Sequence, residues 1–190
     1  MGAPHAPGKT VCCFEPAKAR DVDTPSPAGT TKGGYVVRVG PEEDILFPAV
    51  DSCMAIAWVL QNGDLIGGHI GMDWGNEVPA LMDRRPGYDT IKPFDLSMNA
   101  RIILNEMLVN KGNQGIVCAF SIADNDWSPI AQNVSALIKE TENYWHFIKG
   151  KMVDVLADNI KKEFSFPGSL GSEPIKFSAI KGLDLERRFR

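Results

Sequence analysis

Cysteine and histidine are the side chains of this 190-residue sequence best suited to nucleophilic chemistry. Cys53 and His69 lie sixteen positions apart, on either side of an Asn62-Gly63 dipeptide that is typical of a β-hairpin turn. A thiol beside an imidazole can form a thiolate-imidazolium pair, in which the ring lowers the thiol pKa and later protonates a leaving group. The residue types and their spacing therefore predict Cys53 and His69 as a catalytic pair for acyl transfer.

The turn between the two residues determines whether their side chains can meet. A two-residue turn at Asn62-Gly63 pairs Ile56 with His69, which places Cys53 and His69 on opposite faces of the sheet. A bulge is then required, and we expect it at Gly67-Gly68, because glycine accepts the positive φ of a bulge and lets a substrate backbone approach. The alternative interpretation needs no bulge: Cys53 is a buried packing residue and His69 is satisfied by a backbone group.

The remaining cysteines and histidines are weaker candidates. Cys12 and Cys13 are adjacent near the N-terminus, and the sequence has no C-x-x-C ligand pair, so neither a metal site nor a disulfide framework is predicted. His5 and His146 are interpreted as surface or packing residues. No cofactor is implied by these residues.

Composition limits the class of protein. The chain is 44% hydrophobic and 23% charged, as in ordinary globular proteins, and its net charge of −4 with dispersed Lys and Arg argues against a nucleic-acid partner. No apolar run approaches the roughly 20 residues that span a bilayer, and the N-terminus lacks the apolar core of a secretory signal. We therefore expect a cytoplasmic protein without a membrane span.

Apolar periodicity predicts a flexible leader followed by one folded domain. Residues 1–33 are rich in Gly and Pro and poor in large apolar side chains, which favours a leader without fixed structure, and residues 34–190 form the domain. The patterns predict strands at 35–39, 45–47, 53–60, 65–71, 114–123 and 174–180, a helix from about 95 to 112, a loop at 73–92, and an interrupted helical segment from 128 to 164. The predicted class is α+β, as an α/β sandwich with a mixed, mainly antiparallel sheet or β-sandwich core and flanking helices.

The hairpin and its flanking residues resemble a known group of enzymes. Ser52-Cys53, the glycine-containing turn and His69-Ile70-Gly71 resemble the catalytic core of the cysteine-histidine glutamine deamidases. This group includes the Rho-activating catalytic domain of the cytotoxic necrotizing factors and the chemoreceptor deamidase CheD. The CheD branch also has a helix similar to Asn105-Glu-Met-Leu108, followed by an apolar strand similar to Ile116-Val-Cys-Ala-Phe120.

Three positions depart from the group. Asp51-Ser52 precedes the cysteine where the group usually has a glycine-containing turn, and Phe47 stands where CheD-like proteins have a threonine that helps to orient the histidine. The toxins use a backbone carbonyl instead, which the strand at 36–39 could supply. The group that orients His69 is therefore not assigned from sequence.

The resemblance implies a protein-glutamine deamidase. The Cys53 thiolate would attack a glutamine carboxamide, backbone amides near Ser52 and Cys53 would hold the oxyanion, and His69 would protonate the departing ammonia without metal or cofactor. It also implies a protein substrate: a regulatory protein such as a GTPase, for a toxin-like effector exported without a classical signal peptide, or a chemoreceptor. The alternative is a non-enzymatic protein-binding or accessory domain.

Overall fold

Two β-sheets and two helices contain most of the residues described by the structure, a computed structural model that describes residues 9–71, 96–123, 143–147, 152–169 and 172–179. The elements in chain order are β1 (Thr10–Cys12), α1 (Pro16–Arg20), β2 (Thr31–Lys32), β3 (Val36–Val39), β4 (Asp44–Val50), β5 (Met54–Leu60), β6 (Leu65–Ile70), α2 (Leu96–Lys111), β7 (Ile116–Ala123), β8 (Asn143–Phe147), β9 (Val153–Asp158), β10 (Glu163–Ser165), β11 (Ile175–Lys176) and a 3-10 helix (Phe177–Ala179). In these residues, no helix is both long and apolar enough to cross a membrane.

The strands form one six-stranded and one five-stranded sheet. The first has the order β11-β10-β9-β4-β1-β2 and the second β3-β6-β5-β7-β8. Most neighbours are antiparallel, while β1 runs parallel to both β2 and β4, and β7 runs parallel to β8. The predicted α+β class with a mixed, mainly antiparallel sheet is confirmed, and the fold is strand-rich.

The five-stranded sheet is covered on both faces. On one face Met54, Ile56 and Trp58 of β5 pack against α2. On the other face Ala55 and Ala57 pack against the apolar side chains of β4 and β9 in the six-stranded sheet. Burial on both faces explains why β5 reads as a continuous apolar run instead of an alternating one.

The β5–β6 hairpin has a different turn from the one predicted. Leu60 N donates to Asp64 O at 2.9 Å, so the loop contains three residues, Gln61, Asn62 and Gly63, with Gly63 at a φ of 88°. A left-handed glycine at the end of a three-residue loop is a common hairpin geometry. The extra loop residue shifts the pairing by one position along the whole hairpin.

Gly67 and Gly68 are required for close packing, and the predicted bulge at this position is wrong. The β5–β6 pairing runs through both glycines without a shift in register. A Cβ at Gly67 would lie 2.9 Å from Cζ of Phe47, and a Cβ at Gly68 would lie 2.5 Å from Sδ of Met107. The two glycines therefore let β4 and α2 approach β6 from opposite sides.

The structure differs from the predicted flexible leader over residues 9–33. The strand β1 pairs with β4, and Cys12, Cys13 and Phe14 are buried. The abundance of Gly and Pro across the segment concealed this short apolar run, whose backbone adds a strand to the sheet. Residues 1–8, including His5, lie outside the described residues.

The helical prediction for the C-terminal part is wrong where the structure describes it. Residues 143–147, 153–158 and 163–165 are strands. Val155 and Ala157 alternate along β9 and point into the core between the sheets, a period-2 pattern that sequence periodicity did not separate from helical spacing. The loop predicted at 73–92 and residues 124–142 lie outside the described residues.

Candidate functional site

Cys53 and His69 lie on one face of the hairpin, at its open end. His69 pairs directly with Ala55, so these two side chains lie on the same face. Cys53 lies in the bend just before β5, and its Sγ contacts Glu15, in the N-terminal segment that also holds the His69 ring on that face. This is the face that packs against the six-stranded sheet. A two-residue turn would have placed Cys53 and His69 on opposite faces. The three-residue loop changes the register by one position and makes a bulge unnecessary.

The ring of His69 is oriented by a backbone carbonyl. Its Nδ1 lies 2.9 Å from the carbonyl oxygen of Cys13, and the side chain is 1% exposed. Because a carbonyl only accepts, Nδ1 carries the hydrogen and Nε2 carries the lone pair. Nε2 is buried and has no hydrogen-bond partner among the described residues. The site thus contains a basic nitrogen, Nε2, to which no described residue donates a hydrogen bond.

His69 is uncharged at neutral pH in this state. Burial lowers the pKa of His69 to about 4, although the hydrogen bond to Cys13 and the charge of Glu15 both act to raise it, and the charge of Lys18 adds to the lowering. The thiolate-imidazolium pair expected from sequence is therefore not the resting form. In this arrangement His69 is a neutral base.

The carbonyl that holds the His69 ring belongs to Cys13, just after β1, and not to the strand at 36–39 that could have supplied it. Tyr35, at the start of the segment leading into β3, accepts a hydrogen bond from the backbone N of His69 at 3.0 Å, whereas the ring is held by Cys13. Phe47 contacts the ring edge-on, with 6.0 Å between centroids, and supplies no hydrogen bond to it. The orienting group was missed because residue 13 lay in the predicted leader.

Glu15 is a further residue of the site that no sequence signal indicated. Its Oε2 lies 3.4 Å from Sγ of Cys53, and its Oε1 pairs with Nζ of Lys18 at 3.0 Å. Cys53 is 5% exposed. The carboxylate of Glu15 is therefore the acceptor for the Cys53 thiol, within the segment that also supplies the Cys13 carbonyl.

The far end of β6 is fixed by α2. Nδ2 of Asn99 donates to the carbonyl of Gly71 at 3.0 Å, and Asn99 is buried. A Cβ at Gly71 would lie 3.1 Å from Cβ of Glu15 and 3.3 Å from Cδ of Pro16. Gly71 thus lets the backbone of the Glu15 segment approach the open end of the hairpin.

The remaining thiols are placed apart from this chemistry. All four cysteines are in the described part of the chain and none is in a disulfide. The Cys13 thiol donates to the carbonyl of Tyr35 at 3.3 Å, and burial raises the pKa of Cys13 well above its ordinary value. Within the described ranges, no group of three His, Cys, Asp or Glu side chains is arranged to hold a metal ion.

No protein-family model matches the chain, and no curated protein matches its sequence significantly.

Proposed function

We propose that this protein is a protein-glutamine deamidase that uses Cys53 as nucleophile and His69 as general acid and base. One observation carries the proposal: the Cys13 carbonyl fixes the His69 tautomer with Nε2 as the base, on the face of the hairpin that also bears Cys53. A nucleophile, a base and a group that orients the base are the parts that thiol catalysis requires.

The reaction follows from these roles. Nε2 of His69 takes the thiol proton as Sγ of Cys53 bonds to the carboxamide carbon of a glutamine. The protonated ring then gives its proton to the amide nitrogen, the C–N bond breaks and ammonia leaves a thioester. Water, deprotonated by Nε2, hydrolyses the thioester, the C–S bond breaks, and glutamate and the thiol are released.

Two neighbours assist the charged stages of this cycle. The Cys13 carbonyl and the Glu15 carboxylate both favour the protonated ring, which forms transiently in each half-reaction. Backbone amides near Ser52 and Cys53 are the proposed donors to the oxyanion. No metal or cofactor enters the proposed cycle.

The proposed substrate is a glutamine of a partner protein. Deamidation converts a neutral side chain into an anion, which changes local electrostatics in the same way as other charge-changing modifications. A regulatory protein such as a GTPase, or a chemoreceptor, is the partner class we propose. The enzyme would act in the cytoplasm where it is made, or in another cell as an exported effector.

One observation favours a second candidate, a non-enzymatic binding or accessory domain. Cys53 is 5% exposed and its thiol contacts a carboxylate, which is an environment that opposes a thiolate. In that case Cys53 is a packing residue and His69 joins the Cys13 segment to the hairpin. The two candidates differ in whether Cys53 reacts.

The deciding experiment measures glutamine conversion in proteins. Cytoplasmic protein extracts are incubated with the wild type, Cys53→Ser or His69→Ala, and peptides are mapped for glutamines that gain about one dalton together with a negative charge. Glu15→Ala is tested in parallel because Glu15 contacts the thiol. Cys118→Ser is the matched control, since Cys118 lies on β7 and its thiol is not part of the site.

We expect conversion with the control and its loss in the Cys53 and His69 variants. Absence of Cys53-dependent conversion with both the wild type and Glu15→Ala would contradict the proposed function and leave the binding domain as the better candidate.

A further inference from the structure

We propose that Glu15 occupies the position of the glutamate product, so that the segment 13–17 is a built-in product mimic that closes the site. The same segment then indicates the substrate class: a glutamine in an extended segment directly before a proline. This inference rests on the proposed deamidase function and assigns a substrate and a regulatory contact to it.

The side chain of Glu15 has the chemistry of the product. Glutamate is what deamidation of glutamine leaves, and the two side chains have the same length and nearly the same shape. Oε2 of Glu15 lies 3.4 Å from Sγ of Cys53, where an oxygen of the product carboxylate would lie after thioester hydrolysis. The position of Glu15 thus matches the last stage of the proposed reaction.

The backbone around Glu15 is placed as a substrate backbone would be. Glu15 has φ −57° and ψ 153°, close to the polyproline II conformation, which is one of those favoured before a proline. Gly71 has no side chain where Glu15 and Pro16 pack against the hairpin. The next turn, α1, contains only five residues and starts at Pro16. An external peptide with the same Gln-Pro backbone could therefore dock on the same surface.

The segment 13–17 is held more firmly at its upstream end than at its downstream end. Upstream, the backbone N of Cys13 donates to Leu46 O at 2.7 Å, and β1 is part of the sheet. Downstream, Pro16 is buried and the backbone N of Ala19 donates to Glu15 O at 2.8 Å, whereas the Glu15–Lys18 ion pair is partly exposed, and such pairs hold weakly. The inference requires the segment to open at the short helix α1 while β1 stays paired, which would uncover Cys53 and leave the Cys13 carbonyl on His69.

The inference predicts that an amide placed at position 15 is a substrate of the protein itself. In Glu15→Gln, Nε2 of His69 takes the Cys53 proton, Sγ bonds to the side-chain carboxamide carbon, and ammonia leaves with the proton returned by the ring. Water then breaks the C–S bond. The products are glutamate at position 15, ammonia and the original thiol.

The test uses full-length Glu15→Gln and the tryptic peptide 10–18, followed by mass spectrometry over time. We expect this peptide to gain about one dalton and a negative charge. The double variants that add Cys53→Ser or His69→Ala keep the amide. Glu42→Gln is the matched control, because Glu42 is 81% exposed in its ion pair with Lys9, and its amide should persist.

A second measurement does not depend on the folding of Glu15→Gln. A synthetic peptide with the sequence of residues 11–19, carrying glutamine at the fifth position, is incubated with the wild type and with Glu15→Ala, and ammonia release is measured. We expect release to be at least about tenfold faster with Glu15→Ala, because the closed segment reduces the competent fraction. The same peptide with alanine in place of proline should react more slowly.

The outcomes separate the inference from the function on which it rests. In one outcome, the amide at position 15 persists and the peptide reacts equally with the wild type and Glu15→Ala, while other proteins are deamidated through Cys53. The proposal that Glu15 mimics the product is then wrong, and the proposed deamidase function stands. Conversion at position 15 that continues in the Cys53→Ser double variant also overturns the inference. If no glutamine reacts in any arm, the proposed function fails as well.

Discussion

The imidazole of His69 is held by the main-chain carbonyl of Cys13, fifty-six positions earlier in the chain, at 2.9 Å. This contact joins the N-terminal segment to the hairpin and fixes which ring nitrogen is basic. Because the acceptor is main chain, the side chain at position 13 is not needed to fix the tautomer. The conformation of the segment from β1 to α1 determines the geometry of the base.

The buried His69 predicts a specific dependence of stability on pH. Between about pH 4 and pH 6.5 the unfolded chain holds a proton on this histidine that the folded chain lacks, so the free energy of unfolding rises with pH across this window and falls on acidification. We expect His69 to contribute a loss of about 3 kcal/mol from pH 7 to pH 4. Urea denaturation of the wild type and His69→Gln measures this difference. Equal pH dependence of the two proteins would contradict it.

The contact between Glu15 and Cys53 predicts a change in thiol reactivity. In Glu15→Ala the cover over Sγ is lost and a negative charge beside the forming thiolate is removed, so we expect iodoacetamide to modify Cys53 about tenfold faster at pH 7. Peptide mapping is needed because the chain has three other thiols. Glu42→Ala is the control.

Adding His69→Ala to Glu15→Ala should slow the modification again, because the variant removes the base that we propose for the thiol proton. An unchanged rate in the double variant would show that His69 does not act on Cys53.

Burial of Phe14 predicts that the N-terminal segment contributes to stability. Phe14 is 3% exposed and packs with Cys12 and Leu46, so Phe14→Ala should lower the free energy of unfolding by about 3 kcal/mol. Val22 lies in the same part of the chain and is 88% exposed, so Val22→Ala should change it by less than about 0.5 kcal/mol. Urea denaturation measures the free energy of unfolding of both variants. Equally small changes in the two variants would favour a flexible leader.

The close approach of α2 to β6 predicts coupling between Gly68 and Met107. A Cβ at Gly68 would lie 2.5 Å from Sδ of Met107, so Gly68→Ala should destabilise the fold by about 1–3 kcal/mol through overpacking. In the background of Met107→Ala the same change should cost less, because the nearest clashing atom is absent and only Cγ2 of Ile103, at 2.9 Å, still lies within 3.0 Å of the new Cβ. A double-mutant cycle measures the coupling, and strictly additive effects would contradict the packing argument.

Local patterns were sufficient for much of the fold. The alternating or continuous apolar runs located β3 to β7, and the apolar spacing and stop signals located α2, because period and turn residues are local properties of the chain. Prediction was wrong over 153–165, where short strands with alternating burial were taken as helix. Period is a weak signal in segments of three to six residues.

The sequence by itself identified the Cys53 thiol, the His69 imidazole and the hairpin that joins them, because residue types and turn-forming residues are local properties of the chain. Only the tertiary structure decided that Cys53 and His69 share a face, since one additional loop residue reverses the side-chain direction along a strand. It also decided that Cys13 holds the ring and that Glu15 covers the thiol. Those contacts form when β1 pairs with β4, a long-range backbone interaction that the short apolar run of the segment does not specify by itself.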